Sequence, residues 1–142
     1  MIELTDSLEL KLKSLRKTKV LEQVIDIFKT SKLPLSVEDI YTKITTDKKP
    51  ALSTVYRIID KLANMKIIHE TIKDADKSRY ELYNNPHKHY IVCTNCKTLF
   101  PLDFCPFHEL EEKIEQQTGF IITGHKFEIY GECPKCHKKI QC

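Results

Sequence analysis

Apolar side chains recur at helical intervals through the first third of the chain. Leu4, Leu8, Leu12 and Leu15 share one spacing, and Val20, Leu21, Val24, Ile25 and Phe28 share another. Residues 3–30 therefore predict one or two amphipathic helices. Lys32-Leu33-Pro34-Leu35 interrupts the pattern, because proline has no N–H to donate and turns the residue before it away from helix. Ser36 with Asp39 three positions on forms a capping-box-like start for a helix carrying Ile40, Tyr41 and Ile44. A polar loop from Thr45 to Pro50 follows. Val55, Ile58, Ile59 and Leu62 then stripe a further short helix over Ser53–Met65. Two extended runs, Ile67–Ile72 and Arg79–Tyr83, flank the charged, turn-prone stretch Lys73–Ser78 and predict a hairpin.

The second half reads differently. Tyr90-Ile91-Val92, Thr98–Leu102, Phe120-Ile121-Ile122 and Lys126–Tyr130 predict strands, and Phe107–Gln117 predicts a charged amphipathic helix closed by Gly119. The fold class is α+β. Helix, helix, short helix, basic helix and hairpin is the order of a winged helix-turn-helix, and a small α/β unit follows it. The predicted division is a winged-helix domain over 1–83, a hinge over 84–87 around Asn84-Asn85-Pro86, and a second domain over 88–142.

Composition sharpens this division. At 142 residues and 41% hydrophobic content the chain can bury a core. No apolar run reaches the ~18–20 residues of a membrane span, and the polar start shows no signal peptide, so no membrane partner and a cytoplasmic setting are expected. The net charge of +3 hides an asymmetry: residues 11–66 carry 13 Lys and Arg against 6 Asp and Glu, while residues 84–142 carry 7 of each. A basic helix-turn-helix points to double-stranded DNA, with the helix over 51–65 entering the major groove. Its polar face offers Ser53, Thr54, Tyr56, Arg57 and Lys61. Arg16, Lys17 and Lys19, at the start of a helix, suit phosphate contacts.

All six cysteines and five of the six histidines follow residue 84. Cys93-x-x-Cys96 and Cys133-x-x-Cys136 are two knuckles, each able to bring both sulfurs to one metal at ~2.3 Å; together they complete a closed, tetrahedral, structural Zn²⁺ site. A dithiol redox centre or a pair of disulfides are the rival readings. Thirty-six residues separate the knuckles, so a shared metal clamps the two ends of a subdomain. His87-Lys88-His89 stands at the start of a strand, where alternate side chains share a face. With His108 and His125 in the same module, it suggests a second divalent metal, Zn²⁺ or Fe²⁺. Cys105-Pro106 reads as a free thiol with proline opening a helix, Cys142 as a tail thiol and His137 as a surface residue. For an enzyme, neither knuckle sits in a thioredoxin-like βαβ pattern, and the H-E-x-x-H and deaminase signatures are absent.

Two segments resemble a known family. Leu52-Ser53-Thr54-Val55-Tyr56-Arg57-Ile58-Ile59-Asp60-Lys61-Leu62 is similar to the recognition helix of the ferric uptake regulator family of metal-dependent bacterial repressors. The run from Gly119-Phe120 through His125, Glu128, Tyr130, Gly131 and Cys133 to Cys136 is similar to that family's ending. The resemblance spans about residues 10–138. It implies a homodimeric repressor of palindromic operators that controls metal homeostasis. It also implies that residues 88–142 are a dimerisation domain and that structural zinc sits on Cys93, Cys96, Cys133 and Cys136. His87, His89 and His125 fall on ligands of the family's regulatory site, and His108 falls where that site usually has a glutamate; Glu109 is the fallback. The family's hinge-region site is represented by Glu81, but residues 31–35 hold no histidine and Lys88 and Tyr90 occupy its interleaved positions. That departure implies that the His87, His89 and His125 site is the regulatory one and argues against a peroxide sensor. The motif Leu102-Asp103-Phe104-Cys105-Pro106 resembles zinc-uptake regulators within the family, so zinc is the expected effector, with iron next.

Overall fold

A computed structural model of the chain describes residues 4–73, 77–83 and 87–140. The chain divides into two compact units, Met1–Asn85 and Pro86–Cys142. The expected hinge falls largely on residues 84–86, and the tail thiol on Cys142; both lie outside the described residues.

In the first unit the apolar stripe over 3–30 forms two helices, α1 (Asp6–Lys13) and α2 (Lys19–Thr30). The Thr18 hydroxyl starts α2 by accepting the Leu21 amide at 3.2 Å. Pro34 then holds the chain extended, and Leu35–Ser36 becomes a short strand, β1, which the sequence pattern reads only as a break. Ser36 has two roles. It pairs with Arg79 across the sheet and caps α3 (Val37–Lys43), where the reciprocal box is complete: the Asp39 amide donates to Ser36 Oγ at 3.1 Å, and the Ser36 amide to Asp39 Oδ2 at 3.0 Å. Helix α4 (Leu52–Asn64) follows. Lys66, at φ 55°, turns the chain into β2 (Ile68–Lys73) and β3 (Ser78–Leu82), which pair antiparallel with Ile68 opposite Leu82. The sheet order is β1-β3-β2. Val24, Phe28, Ile40, Val55, Ile59, Leu62, Ile67 and Leu82 are buried together beneath it. This is a winged helix-turn-helix, with α4 second in the turn and β2–β3 as the wing.

The second unit is built on β4 (His89–Cys93). Strand β5 (Leu99–Leu102) pairs with it antiparallel, and β6 (Ile129–Gly131) pairs with its other edge in parallel. Helix α5 (His108–Thr118) lies between β5 and β6 in sequence and ends on Gly119 at φ 74°, a left-handed cap that favours glycine. Here the structure corrects two expectations. Phe120-Ile121-Ile122 forms no strand and Lys126–Tyr130 contributes only its end, while residues 134–140 form an unforeseen helix, α6 (Pro134–Ile140). The apolar run at 120–122 pairs with no strand among the described residues, and its first two side chains are open: Phe120 is 74% and Ile121 86% exposed. None of α5 is buried. The unit's buried apolar residues, among those described, are Tyr90, Val92, Cys93, Leu99 and Cys133.

Candidate functional sites

The first knuckle forms because β4 ends in a tight turn. The Lys97 amide donates to the Cys93 carbonyl at 2.9 Å, with Lys97 itself left-handed at φ 60°. The second forms at the start of α6, where the His137 amide donates to the Cys133 carbonyl at 2.9 Å. The parallel pairing of β6 with β4 places Gly131 against Cys93 and so brings the knuckles together. All four sulfurs lie within 4.8 Å of one another. Cys96 Sγ and Cys133 Sγ are 3.8 Å apart, and four ~2.3 Å metal–sulfur bonds in a tetrahedron set that edge at ~3.8 Å. The Cys133 amide donates to Cys93 Sγ at 3.3 Å. That bond, then the amide of Cys96, draws the Cys93 thiol down to about 6. Hydrogen bonding with Cys133 in turn pushes the Cys136 thiol up to about 12. Four thiolates at this separation repel one another, and a divalent cation relieves that repulsion.

A second convergence lies at the other end of β4. The ligand atoms of His87, His89, Cys105 and His125 are also within 4.8 Å of one another. Nε2 of His87 is 2.8 Å from Nε2 of His89 and 2.9 Å from Nε2 of His125, and the last two are 3.0 Å apart. Cys105 Sγ is 3.3 Å from His89 and 3.4 Å from His125. A ring nitrogen carries either one proton or one lone pair, so three Nε2 atoms in mutual contact cannot all be satisfied by hydrogen bonds. A central cation satisfies them together. Burial, then the neighbouring His87 and His125, holds the His89 imidazole below its ordinary range, which keeps it neutral and able to ligate. The Glu111 carboxylate accepts from Nδ1 of His125, fixing the tautomer that turns the Nε2 lone pair inward. Phe127 packs on His89 with centroids 4.2 Å apart, and Phe107 on His125 at 5.1 Å. A cleft of about 310 Å³ opens on His87, Cys105, Glu111 and His125.

The expected second-site residues divide. His87, His89 and His125 come together. His108 begins α5 and lines the same cleft but is outside the close group, and Glu109 beside it is exposed. Cys105 stands in the group instead. Glu81 belongs to the first unit, where it is buried on β3 with its carboxylate 3.4 Å from His69 Nε2. Cys105, Glu111 and the two phenylalanines were missed by sequence reasoning. Glu111 carries a legible signal, since it stands one helical turn after His108, on the same face.

On α4, Val55, Ile59 and Leu62 face the core and leave Ser53, Thr54, Tyr56, Arg57 and Lys61 exposed. Arg16 and Lys17, in the turn before α2, and Lys19 at its first residue are exposed too. The Tyr56 hydroxyl donates to Glu38 Oε1 at 2.9 Å; this bond raises the phenol's pKa and keeps it neutral. It also ties α4 to α3.

Comparison with known proteins bears on the family and the fold. The sequence model of the ferric uptake regulator family matches residues 12–130. The ferric uptake regulation protein of Bordetella parapertussis is 31% identical over 137 residues, which span 95% of this chain and 99% of that protein. The Helicobacter pylori ferric uptake regulator, described as having three functional metal-binding sites, shares the fold with a TM-score of 0.79 at 23% identity, over 91% of this chain and 87% of that one. A zinc-bound manganese uptake regulator is similar at 26% identity and a TM-score of 0.70, over 90% and 99% of the two chains. The chain belongs to the ferric uptake regulator family, whose members are transcription regulators.

Proposed function

We propose that the chain is a homodimeric repressor that binds palindromic operator DNA when zinc occupies its second site. Structural Zn²⁺ is held by Cys93, Cys96, Cys133 and Cys136, and the sensed metal by His87, His89 and His125. The observation that carries this reading is the convergence of three imidazoles near the start of the second unit. His87 immediately follows residues 84–86, the segment that joins that unit to the winged helix. A metal there fixes the course of the chain as it leaves the junction. It favours DNA binding to the extent that it binds the DNA-competent arrangement better than any other.

Each winged helix would present Ser53, Thr54, Tyr56 and Arg57 to base edges, with Arg16, Lys17, Lys19 and Lys61 on phosphates. The dimer is supported by the apolar surface that α5 and the following residues leave uncovered: Leu110, Ile114, Phe120 and Ile121. Two copies joined there would place two α4 helices on half-sites of a palindrome.

The test is an operator-binding titration of the structural-zinc form, with Zn²⁺, Fe²⁺ and Mn²⁺ added separately, on the wild type and on His87→Ala. The wild type is expected to bind only with added metal, Zn²⁺ acting at the lowest concentration, and His87→Ala to lose the response while keeping one zinc per chain. A His87→Ala protein that still responds to metal disproves the site. A stronger response to Fe²⁺ than to Zn²⁺ makes iron the effector.

A further inference from the structure

We infer that Cys105 is the fourth ligand of the second site, and that its thiolate makes this site a closed, soft, tetrahedral one that selects zinc over iron and manganese. The inference rests on the reading of that site as a metal site and extends it to the ligand that sets its specificity.

The three imidazoles alone define a facial triangle, and such a triangle accepts many metals. What occupies the fourth position decides among them. A carboxylate there gives hard oxygen ligation suited to Mn²⁺ and Fe²⁺, whereas a thiolate favours Zn²⁺. The residue the sequence offered, His108, stands outside the close group, and Glu109 is exposed on the helix. The Cys105 sulfur belongs to the close group, 3.3 Å from His89 Nε2 and 3.4 Å from His125 Nε2. With metal–nitrogen bonds of ~2.0–2.1 Å and a metal–sulfur bond of ~2.3 Å, a tetrahedron has N···N edges of ~3.3 Å and N···S edges of ~3.6 Å. The observed separations are shorter than these by about half an ångström or less, so a small outward spread of the rings admits the ion.

Local structure explains why Cys105 reaches this point. Leu102, the last residue of β5, is opposite His89, the first residue of β4, so the chain leaving β5 starts beside the histidine pair. Three residues later the half-buried Cys105 arrives at the site, just before Phe107 and α5. The carboxylate lining this cleft, Glu111, is already engaged with Nδ1 of His125. It acts as a positioning residue, orienting the imidazole. All four inner ligands, three neutral imidazoles and one thiolate, are therefore supplied by the protein.

The test uses the full reduced chain with its four-cysteine site already filled by zinc, and Co²⁺ as the spectroscopic probe of the second site. The second site is expected to give the intense visible bands of tetrahedral cobalt together with a near-ultraviolet thiolate-to-cobalt charge-transfer band. Cys105→Ser and Cys105→Ala should lose the charge-transfer band, and His108→Ala should keep it. Zinc affinity at this site should fall in Cys105→Ser by at least the ~10–100-fold that loss of an outer partner costs, while Mn²⁺ affinity changes less than about tenfold, the first-row order placing Mn²⁺ as the weakest binder and least dependent on sulfur. Cobalt binding in the wild type without the charge-transfer band overturns Cys105 as ligand, and this outcome needs no variant to fold. Equal losses of Zn²⁺ and Mn²⁺ affinity in Cys105→Ser overturn its role in selectivity. Failure of the wild type to bind a second metal at all overturns the underlying site, a result separable from the other two by metal counting.

Discussion

With zinc in the four-cysteine cluster, as proposed, its removal should unfold the second unit and leave the winged helix intact. The cluster ties the turn after β4 to the start of α6, across 36 intervening residues. The pairing of β6 with β4 joins those ends too, but little buried apolar surface backs it. Among the described residues, two of the unit's five buried apolar residues are themselves cysteines of the cluster, and none of α5 is buried. Burial of Tyr90, Val92 and Leu99 contributes roughly 1.5–3 kcal/mol per side chain. Zinc in a structural thiolate site contributes ~10–16 kcal/mol at neutral pH, more than those three side chains together. The first unit is expected to have no such dependence: fifteen of its described side chains form one buried cluster. The assay is amide hydrogen exchange of the full chain in reducing buffer, before and after a strong chelator, with metal counted in both samples. His87→Ala serves as the starting protein, so that only the structural zinc is being removed. Amides of residues 89–93 and 129–131 are expected to exchange at unfolded rates once zinc is gone, while those of α2 and α4 stay protected. Cys133→Ser should reproduce the effect without chelator. If zinc is counted out and β4 remains protected, the cluster does not hold this unit together and the ledger above is wrong.

Three further outcomes follow from the geometry. Arg57→Ala should weaken operator binding by about 1–3 kcal/mol and relax the base preference at the position it reads; anisotropy titrations on the operator and on single-base variants measure both, and unchanged binding removes Arg57 from the interface. Asp39→Asn should destabilise α3 by roughly 0.3–1 kcal/mol, the worth of a carboxylate at a helix N-terminus. Burial raises the Asp39 pKa, but the Ser36 amide and hydroxyl and then Arg79 outweigh it and hold it below the usual value. A depressed carboxylate stabilises the fold above its unfolded pKa and loses that contribution as pH falls through the folded value, so the gap between wild type and Asn variant in α3 amide protection should close below about pH 4. Ile121→Asp, at an 86% exposed position, should shift the zinc-loaded chain toward monomer in sedimentation without loss of metal; an unaltered dimer places the interface elsewhere.

The legible parts of the fold are those in which neighbours in sequence are also partners in space. The stripe of α4, the Ser36–Asp39 box and the glycine that ends α5 are local devices, and residue order displays them. Phe120-Ile121-Ile122 shows where that reasoning stops. An apolar, β-branched run signals burial but not what does the burying, and here its own chain leaves it exposed. Helix α6 has no apolar stripe to announce it; it follows from the turn that brings Cys133 and Cys136 to one point. The cysteine pairs were visible because their spacing is short. Cys105 was not, since its partners stand 16 and 20 residues away and only the pairing of β5 with β4 and the return of the chain through His125 gather them. A single cysteine has no spacing to read.

On the proposed function, the second group suits a sensor because it gathers side chains from three separate stretches of backbone. His87 and His89 stand at the head of β4, Cys105 in the loop after β5, and His125 in an irregular run before β6. Segments with few buried contacts open at low free energy, so a metal that ties them together changes which arrangements are populated. That change reaches DNA only as a coupling free energy, and coupling is reciprocal: if metal raises operator affinity by a factor of ten, about 1.4 kcal/mol, operator must raise metal affinity tenfold. Zinc titrations of the second site with and without operator duplex should therefore differ by the same factor as operator titrations with and without zinc, and His87→Ala should abolish both differences together. If zinc strengthens operator binding while the operator leaves second-site zinc affinity unchanged, the metal that matters is bound elsewhere, and the three imidazoles converge for another purpose.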